Sequence, residues 1–71
     1  MTKGDLAKHS VDIDGHRTSI SIETPFWDGL RDIARAKNLS LNQLIAAIDK
    51  DRSGNLSSAI RLFVLRELQK S

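Results

Sequence analysis

The 71-residue sequence contains no cysteine, no tyrosine, a single proline and only three aromatic residues, Phe26, Trp27 and Phe63. Without cysteine, neither a disulfide nor a thiolate-held metal can stabilise the chain. His9 and His16 are the only histidines and lie seven residues apart, too few for a zinc-held fold. The longest unbroken apolar run is Leu44 to Ile48, which excludes a transmembrane helix, and no charged start with an apolar stretch behind it marks a signal peptide. A cytoplasmic protein is therefore expected. At this length the chain is one domain. A chain of about 60 residues buries only about 60% of the surface it exposes when unfolded, so its core alone is marginal. With disulfides and metals excluded, self-association is the remaining way to complete it. A large active site is excluded too, because no residues are left to wall a cleft.

Charge is mixed. Eleven Lys and Arg face nine Asp and Glu, and the small basic excess lies towards the C-terminus. There is no block of like charge. The sequence pI of about 9.4 permits a nucleic-acid partner without demanding one.

Met1 to Lys8 shows no period and is expected to be a loose tail, with the domain at residues 9–71. Ser10-Val11-Asp12-Ile13 then alternates polar and apolar, Asp14-Gly15 supplies a strong two-residue hairpin turn, and His16 to Glu23 alternates again. That turn pairs Ile13 with His16, Asp12 with Arg17, Val11 with Thr18 and Ser10 with Ser19. Val11, Ile13, Thr18, Ile20 and Ile22 then share one face, and Ser10, Asp12, Arg17, Ser19 and Ser21 the other.

Thr24-Pro25 reads as an N-cap followed by the first helical residue. Phe26, Trp27, Leu30, Ile33 and Ala34 fall on a stripe about 120° wide, predicting a helix over Pro25–Lys37. Asn38 suits a left-handed stop with Leu39 behind it. Ser40-Leu41-Asn42-Gln43 is a capping box opening a second helix to about Lys50. After the turn-rich Asp51 to Asn55, a third helix is expected over Leu56–Lys70. Its apolar face covers more than half its circumference and so calls for burial on two sides, the second against another subunit.

Three chemical readings fit these residues poorly. Asp49 to Ser57 has oxygens at positions 1, 3, 5 and 9 of a calcium loop and Gly54 at position 6, but position 12 is Ile60 instead of a bidentate glutamate. The plainer reading is a polar turn that caps helices. His9 and His16 have no glutamate near both, and no nucleophile elbow or phosphate-cradling glycine loop exists, so neither an enzyme nor a cofactor or metal is expected. Phe26-Trp27 at helical spacing reads as core more simply than as a base-stacking platform.

The order of elements, a polar-faced strand, a proline, a helix, a tight turn and a Ser/Asn-capped helix, resembles the ribbon-helix-helix superfamily of Arc- and MetJ-type repressors. The residues that carry the likeness are Arg17 to Ile22, Pro25, the first-helix stripe and Asn38 to Gln43. The longer run from His16 to Arg66, with its Trp-bearing first helix and a third helix opening Asn-Leu-Ser-Ser, is similar to a bacterial subgroup of short ribbon-helix-helix-domain proteins. The resemblance implies an α+β fold, an N-terminal hairpin or strand followed by three helices, in an intertwined homodimer. It implies a transcriptional regulator whose two-stranded ribbon enters the major groove. Base contacts then fall to Arg17, Ser19 and Ser21, and phosphate contacts to Lys37, Ser40, Leu41 and Asn42. The shared dimer core falls to Ile20, Ile22, Phe26, Trp27, Leu30, Ile33, Leu44, Ile45 and Ile48.

One feature of the hairpin opposes groove entry. If the strand at Val11–Ile13 joins the ribbon, a dimer has four strands spanning roughly 19 Å, against a major groove about 12 Å wide. Asp12 would also bring negative charge to the reading face. The alternative is a dimeric protein-interaction module that keeps the fold without reading DNA. Arg17 would then simply pair with Asp12, and Ser40 would only cap its helix.

Overall fold

A computed structural model describes residues 6–51 and 54–70. Strands β1 (Leu6–Ile13) and β2 (His16–Glu23) form an antiparallel hairpin, followed by helices α1 (Thr24–Ala36), α2 (Leu41–Asp51) and α3 (Leu56–Lys70). The turn has positive φ at both central residues, 51° at Asp14 and 81° at Gly15, which is the type I′ geometry whose twist matches that of the strands. The register runs from Ile13↔His16 through Asp12↔Arg17, Val11↔Thr18 and Ser10↔Ser19 to Leu6↔Glu23, so all four expected pairs form. The first strand opens earlier than expected. Leu6, Ala7 and Lys8, assigned above to the tail, continue the ladder opposite Glu23, Ile22 and Ser21.

The helix ends follow from local chemistry. Helix α1 starts one residue before the expected position, at Thr24, with Glu23 in the N-cap position and no side-chain cap. Asn38 takes φ 57°, and its N–H donates to the Arg35 carbonyl at 3.1 Å while the Leu39 N–H donates to Ala34 at 2.9 Å. These two bonds are the Schellman stop. The capping box of α2 is reciprocal: the Ser40 N–H donates to Gln43 Oε1 at 2.8 Å, and the Gln43 N–H to Ser40 Oγ at 3.1 Å. Asn55 caps α3, its Oδ1 accepting the Ser58 N–H at 3.1 Å. Arg52 and Ser53, part of the calcium-like loop, lie outside the described residues.

Within one chain the described residues already close a small buried centre. Ile22, Leu30, Ile45 and Ile60 are fully buried and Val64 is 2% exposed. The physical reason is α3, which folds back against α1, α2 and β2 and brings Ile60 and Val64 over the centre. Six of the nine residues assigned to a shared dimer core, Ile20, Ile22, Leu30, Leu44, Ile45 and Ile48, are thus buried within one chain. Phe26, Trp27 and Ile33 are only half-buried at its margin.

Two contacts fix where α3 lies. At Gly29 of α1, an added Cβ would meet Val64 Cγ1 at 3.0 Å. Alanine there removes a helix-interior glycine, worth about 0.5–1 kcal/mol, but forces apart two helices at a buried contact, which costs typically 1–3 kcal/mol. Val64 is enclosed and has little room to yield, so Gly29→Ala is expected to lower the urea midpoint, not raise it. At the β2–α1 junction Glu23 takes a two-pronged contact from Arg61 of α3, Nε to Oε1 at 2.6 Å and Nη2 to Oε2 at 3.2 Å. The Arg61 guanidinium holds the Glu23 carboxyl below the usual carboxylate range, and a backbone hydrogen bond adds to it. A depressed folded-state pKa gives stability that is present above the unfolded value and lost as pH falls through the folded one. Thermal melts should therefore show wild type ahead of Glu23→Gln at neutral pH, with the gap closing below about pH 4.

Candidate nucleic-acid interface

The outward face of the hairpin is polar from end to end. Residues paired across the ladder share a face, so Lys8, Ser10 and Asp12 of β1 stand beside Ser21, Ser19 and Arg17 of β2. All six are exposed. The alternation carried back past Ser10 would have placed Lys8 on this face. Arg17 does not stand free: its Nε meets Asp12 Oδ1 at 3.2 Å, with side-chain exposures of 73% and 51%. The first strand therefore does join the ribbon, and it brings its acid to the surface expected to read bases.

The other edge of β2 is a strand edge. In a two-residue hairpin the pair flanking the turn, Ile13 and His16, exchanges both backbone bonds, and the bonded pairs alternate from there. The backbone groups of His16, Thr18, Ile20 and Ile22 therefore point at β1, and those of Arg17, Ser19 and Ser21 point away. One contact corroborates this geometry: Ser57 Oγ at the start of α3 donates to the Ser21 carbonyl at 3.0 Å. The cleft beside this edge is lined by Thr18, Ser19, Asp49, Asn55 and Ser57 among others. Sequence reading missed the Ser57 contact, because Asn-Leu-Ser-Ser announces a helix start and says nothing about which strand lies beside it.

The expected phosphate-binding residues lie elsewhere. Ser40, Leu41 and Asn42 form the N-terminus of α2, and the Ser40 N–H is already taken by Gln43. The first N–H groups of a helix have no intrahelical acceptor, so Leu41 and Asn42 supply the donors left for an anion. Lys37 faces α3, with Nζ 3.8 Å from Glu67 Oε1, and Lys70 meets the same carboxylate at 3.4 Å. Among the described residues no hydrogen bond or ion pair of Lys37 or Ser40 reaches the hairpin. The structure thus groups Arg17, Ser19 and Ser21 but does not join them to the second cluster within one chain.

The histidines divide. His16 is exposed beside the turn, whereas His9 stacks flat on Trp27, centroids 3.8 Å apart and planes 6° from parallel. The His9 ring covers the half-buried indole, and its Nε2 is enclosed without a hydrogen-bond partner among the described residues. Periodicity puts Trp27 at the edge of its stripe but does not name its partner, which comes from strand β1. Among the described residues no three His, Asp or Glu side chains converge as a metal site would need, and no helix is long and apolar enough to cross a membrane.

Neither a curated protein nor a solved structure matches this sequence. The ribbon-helix-helix domain family does, its profile covering residues 6–68, from the first residue of β1 almost to the end of α3. With strand, proline, capped helix pair and family profile in agreement, the chain belongs to the ribbon-helix-helix domain family, whose members generally bind DNA as dimers and regulate transcription.

Proposed function

We propose that this chain is a homodimeric transcriptional regulator that binds double-stranded DNA with the outward face of β2. The observation that carries the reading is the hairpin register, which lines up Arg17, Ser19 and Ser21 on one face of the strand whose far edge pairs with no other strand among the described residues. A two-fold axis at Ser19 sets Arg17 opposite the partner's Ser21 and fills that edge with backbone bonds. The Ser57 hydroxyl need not leave, since a carbonyl has two lone pairs. The central ribbon then presents two arginines and four serines.

Magnitudes permit the switch from resting to bound contacts. The Arg17–Asp12 pair is exposed, and such pairs are worth about 0.2–1 kcal/mol. A bidentate arginine–guanine contact discriminates by about 1–3 kcal/mol. The two central strands are about 10 Å across and fit the groove, while β1 and its twin ride over the phosphates. Lys8 suits that place and Asp12 opposes it. The Leu41 and Asn42 N–H groups, with Lys37, hold a phosphate without reading sequence. With a formal charge of only +2 per chain the dimer makes few phosphate contacts, so its salt dependence is shallow.

The test is fluorescence anisotropy on a duplex selected from a random pool. Arg17→Ala is expected to weaken binding about 10- to 100-fold. A pool that never enriches, or a duplex affinity indifferent to Arg17, contradicts the reading. A second reading is favoured by the Asp12–Arg17 pair and the four-strand width: the dimer captures a protein partner on the same surface. Partner capture that survives Arg17→Ala supports it.

A further inference from the structure

The one acid of β2 is masked. By the alternation of the strand, Glu23 stands on the same face as Arg17, Ser19 and Ser21. Its carboxylate is gripped from α3, by Arg61 Nε at 2.6 Å and Nη2 at 3.2 Å, and the pair is only partly exposed. Ser57, one turn before Arg61, donates to the Ser21 carbonyl at 3.0 Å. Four residues of helix rise about 6 Å. Two residues of strand span about 7 Å, so Ser57 and Arg61 keep step with Ser21 and Glu23. Helix α3 is thus moored along the end of β2, with its cation on the strand's acid.

That acid bears on how two ribbons meet. An antiparallel strand can slip by two residues against its twin without exchanging its faces. The two-fold then moves by one residue, from Ser19 to Thr18 or to Ile20. At Thr18 the two Arg17 side chains become diagonal neighbours about 7–8 Å apart, and their like charges repel. At Ile20 each Arg17 comes directly opposite the partner's Glu23, a favourable pairing of charges. Every arginine would then lie between two acids, Asp12 of its own chain and Glu23 of the other, and be withdrawn from base contacts. Spacing changes as well. Along the ribbon Arg17 stands about 14 Å from its copy with the two-fold at Ser19, and about 20 Å from it with the two-fold at Ile20.

We infer that Arg61 is a specificity-determining positioning residue: by occupying Glu23 it holds the ribbon at the Ser19 two-fold and leaves Arg17 available to DNA, a role that presupposes the ribbon proposed above. Arg61 needs no contact with DNA to do this. It works by denying the slipped register its only attractive charge pair.

Dipolar distance measurement between spin labels, read beside duplex affinity, tests it. The cysteine-free sequence allows a single label at His16→Cys, on the exposed start of β2. The two labelled positions lie about 20 Å apart along the ribbon for a two-fold at Ser19 and about 27 Å apart for one at Ile20. Arg61→Gln should lengthen the distance by about 7 Å and weaken duplex binding about tenfold. Arg61→Met, which keeps the aliphatic stem, should match it, and Arg61→Lys, which keeps the charge, should behave as wild type. Glu23→Gln breaks the same ion pair but leaves no acid to capture Arg17. Both readouts should therefore stay at wild type in Glu23→Gln and in the double variant Glu23→Gln/Arg61→Gln, with cooperative melts showing that each is folded. A merely structural ion pair makes Glu23→Gln as damaging as Arg61→Gln. That result, or wild-type distance and affinity in both Arg61→Gln and Arg61→Met, overturns the inference while the ribbon stands. No distance between chains in the otherwise wild-type label, or a duplex affinity indifferent to Arg17→Ala, overturns the ribbon and the role of Arg61 with it.

Discussion

Leu30→Ala is expected to remove about half of the stability of the fold. Leu30 is fully buried where α1 meets the rest of the core. Truncating a buried leucine to alanine costs about 2–5 kcal/mol, the loss being larger where the surroundings cannot close on the cavity. A chain of this length has a total stability of about 4–11 kcal/mol at ordinary values per residue. The urea midpoint should therefore fall by roughly half with little change in slope. The core cluster it belongs to draws Ile22 from β2, Ile45 from α2, and Ile60 and Val64 from α3, so collapse onto the cavity is limited. A loss below about 1 kcal/mol would mean that the interior is not packed as described.

Ser19→Pro is expected to abolish association through the ribbon while leaving the hairpin folded. The Ser19 N–H points away from β1, so losing it removes no bond of the β1–β2 ladder. Proline is tolerated in an edge strand when its missing N–H faces outward. At the proposed two-fold, however, Ser19 meets its own copy, and two prolines there remove both central bonds and crowd the seam. Duplex affinity should drop by about 100-fold or more, because each chain alone presents one Arg17 and no paired ribbon. Near-unchanged far-ultraviolet circular dichroism should accompany the loss. Wild-type affinity and mass in Ser19→Pro would show that the β2 edge is not where chains meet.

The elements were legible in the sequence because each carries a local signal. Asp14-Gly15 set the register of the hairpin, Asn38 marked the stop of α1, and Ser40 with Gln43 marked the start of α2. What stayed illegible is non-local. Periodicity says that Leu30 and Ile45 face inward but not whether the covering residues come from the same chain, and here α3 supplies them as Ile60 and Val64. Likewise the alternation of β2 puts Arg17 on the polar face, while its choice between Asp12 and a base depends on the strand opposite and on a partner. Glu23 looked like the end of a strand; its grip on Arg61 spans 38 residues and has no spacing rule. Thr24 looked like a cap, yet the helix begins with it, and Glu23 takes the N-cap position without a side-chain cap bond.

The proposed dimer requires that the outward-pointing backbone of β2 pair with a second copy. Residue-resolved amide hydrogen exchange reads this directly, because the Arg17, Ser19 and Ser21 N–H groups point away from β1 while those of Thr18, Ile20 and Ile22 point towards it. In the paired ribbon all six should be protected, and the protection of Arg17, Ser19 and Ser21 alone should rise with protein concentration. Fast, concentration-independent exchange at those three positions, beside protected neighbours, would contradict it.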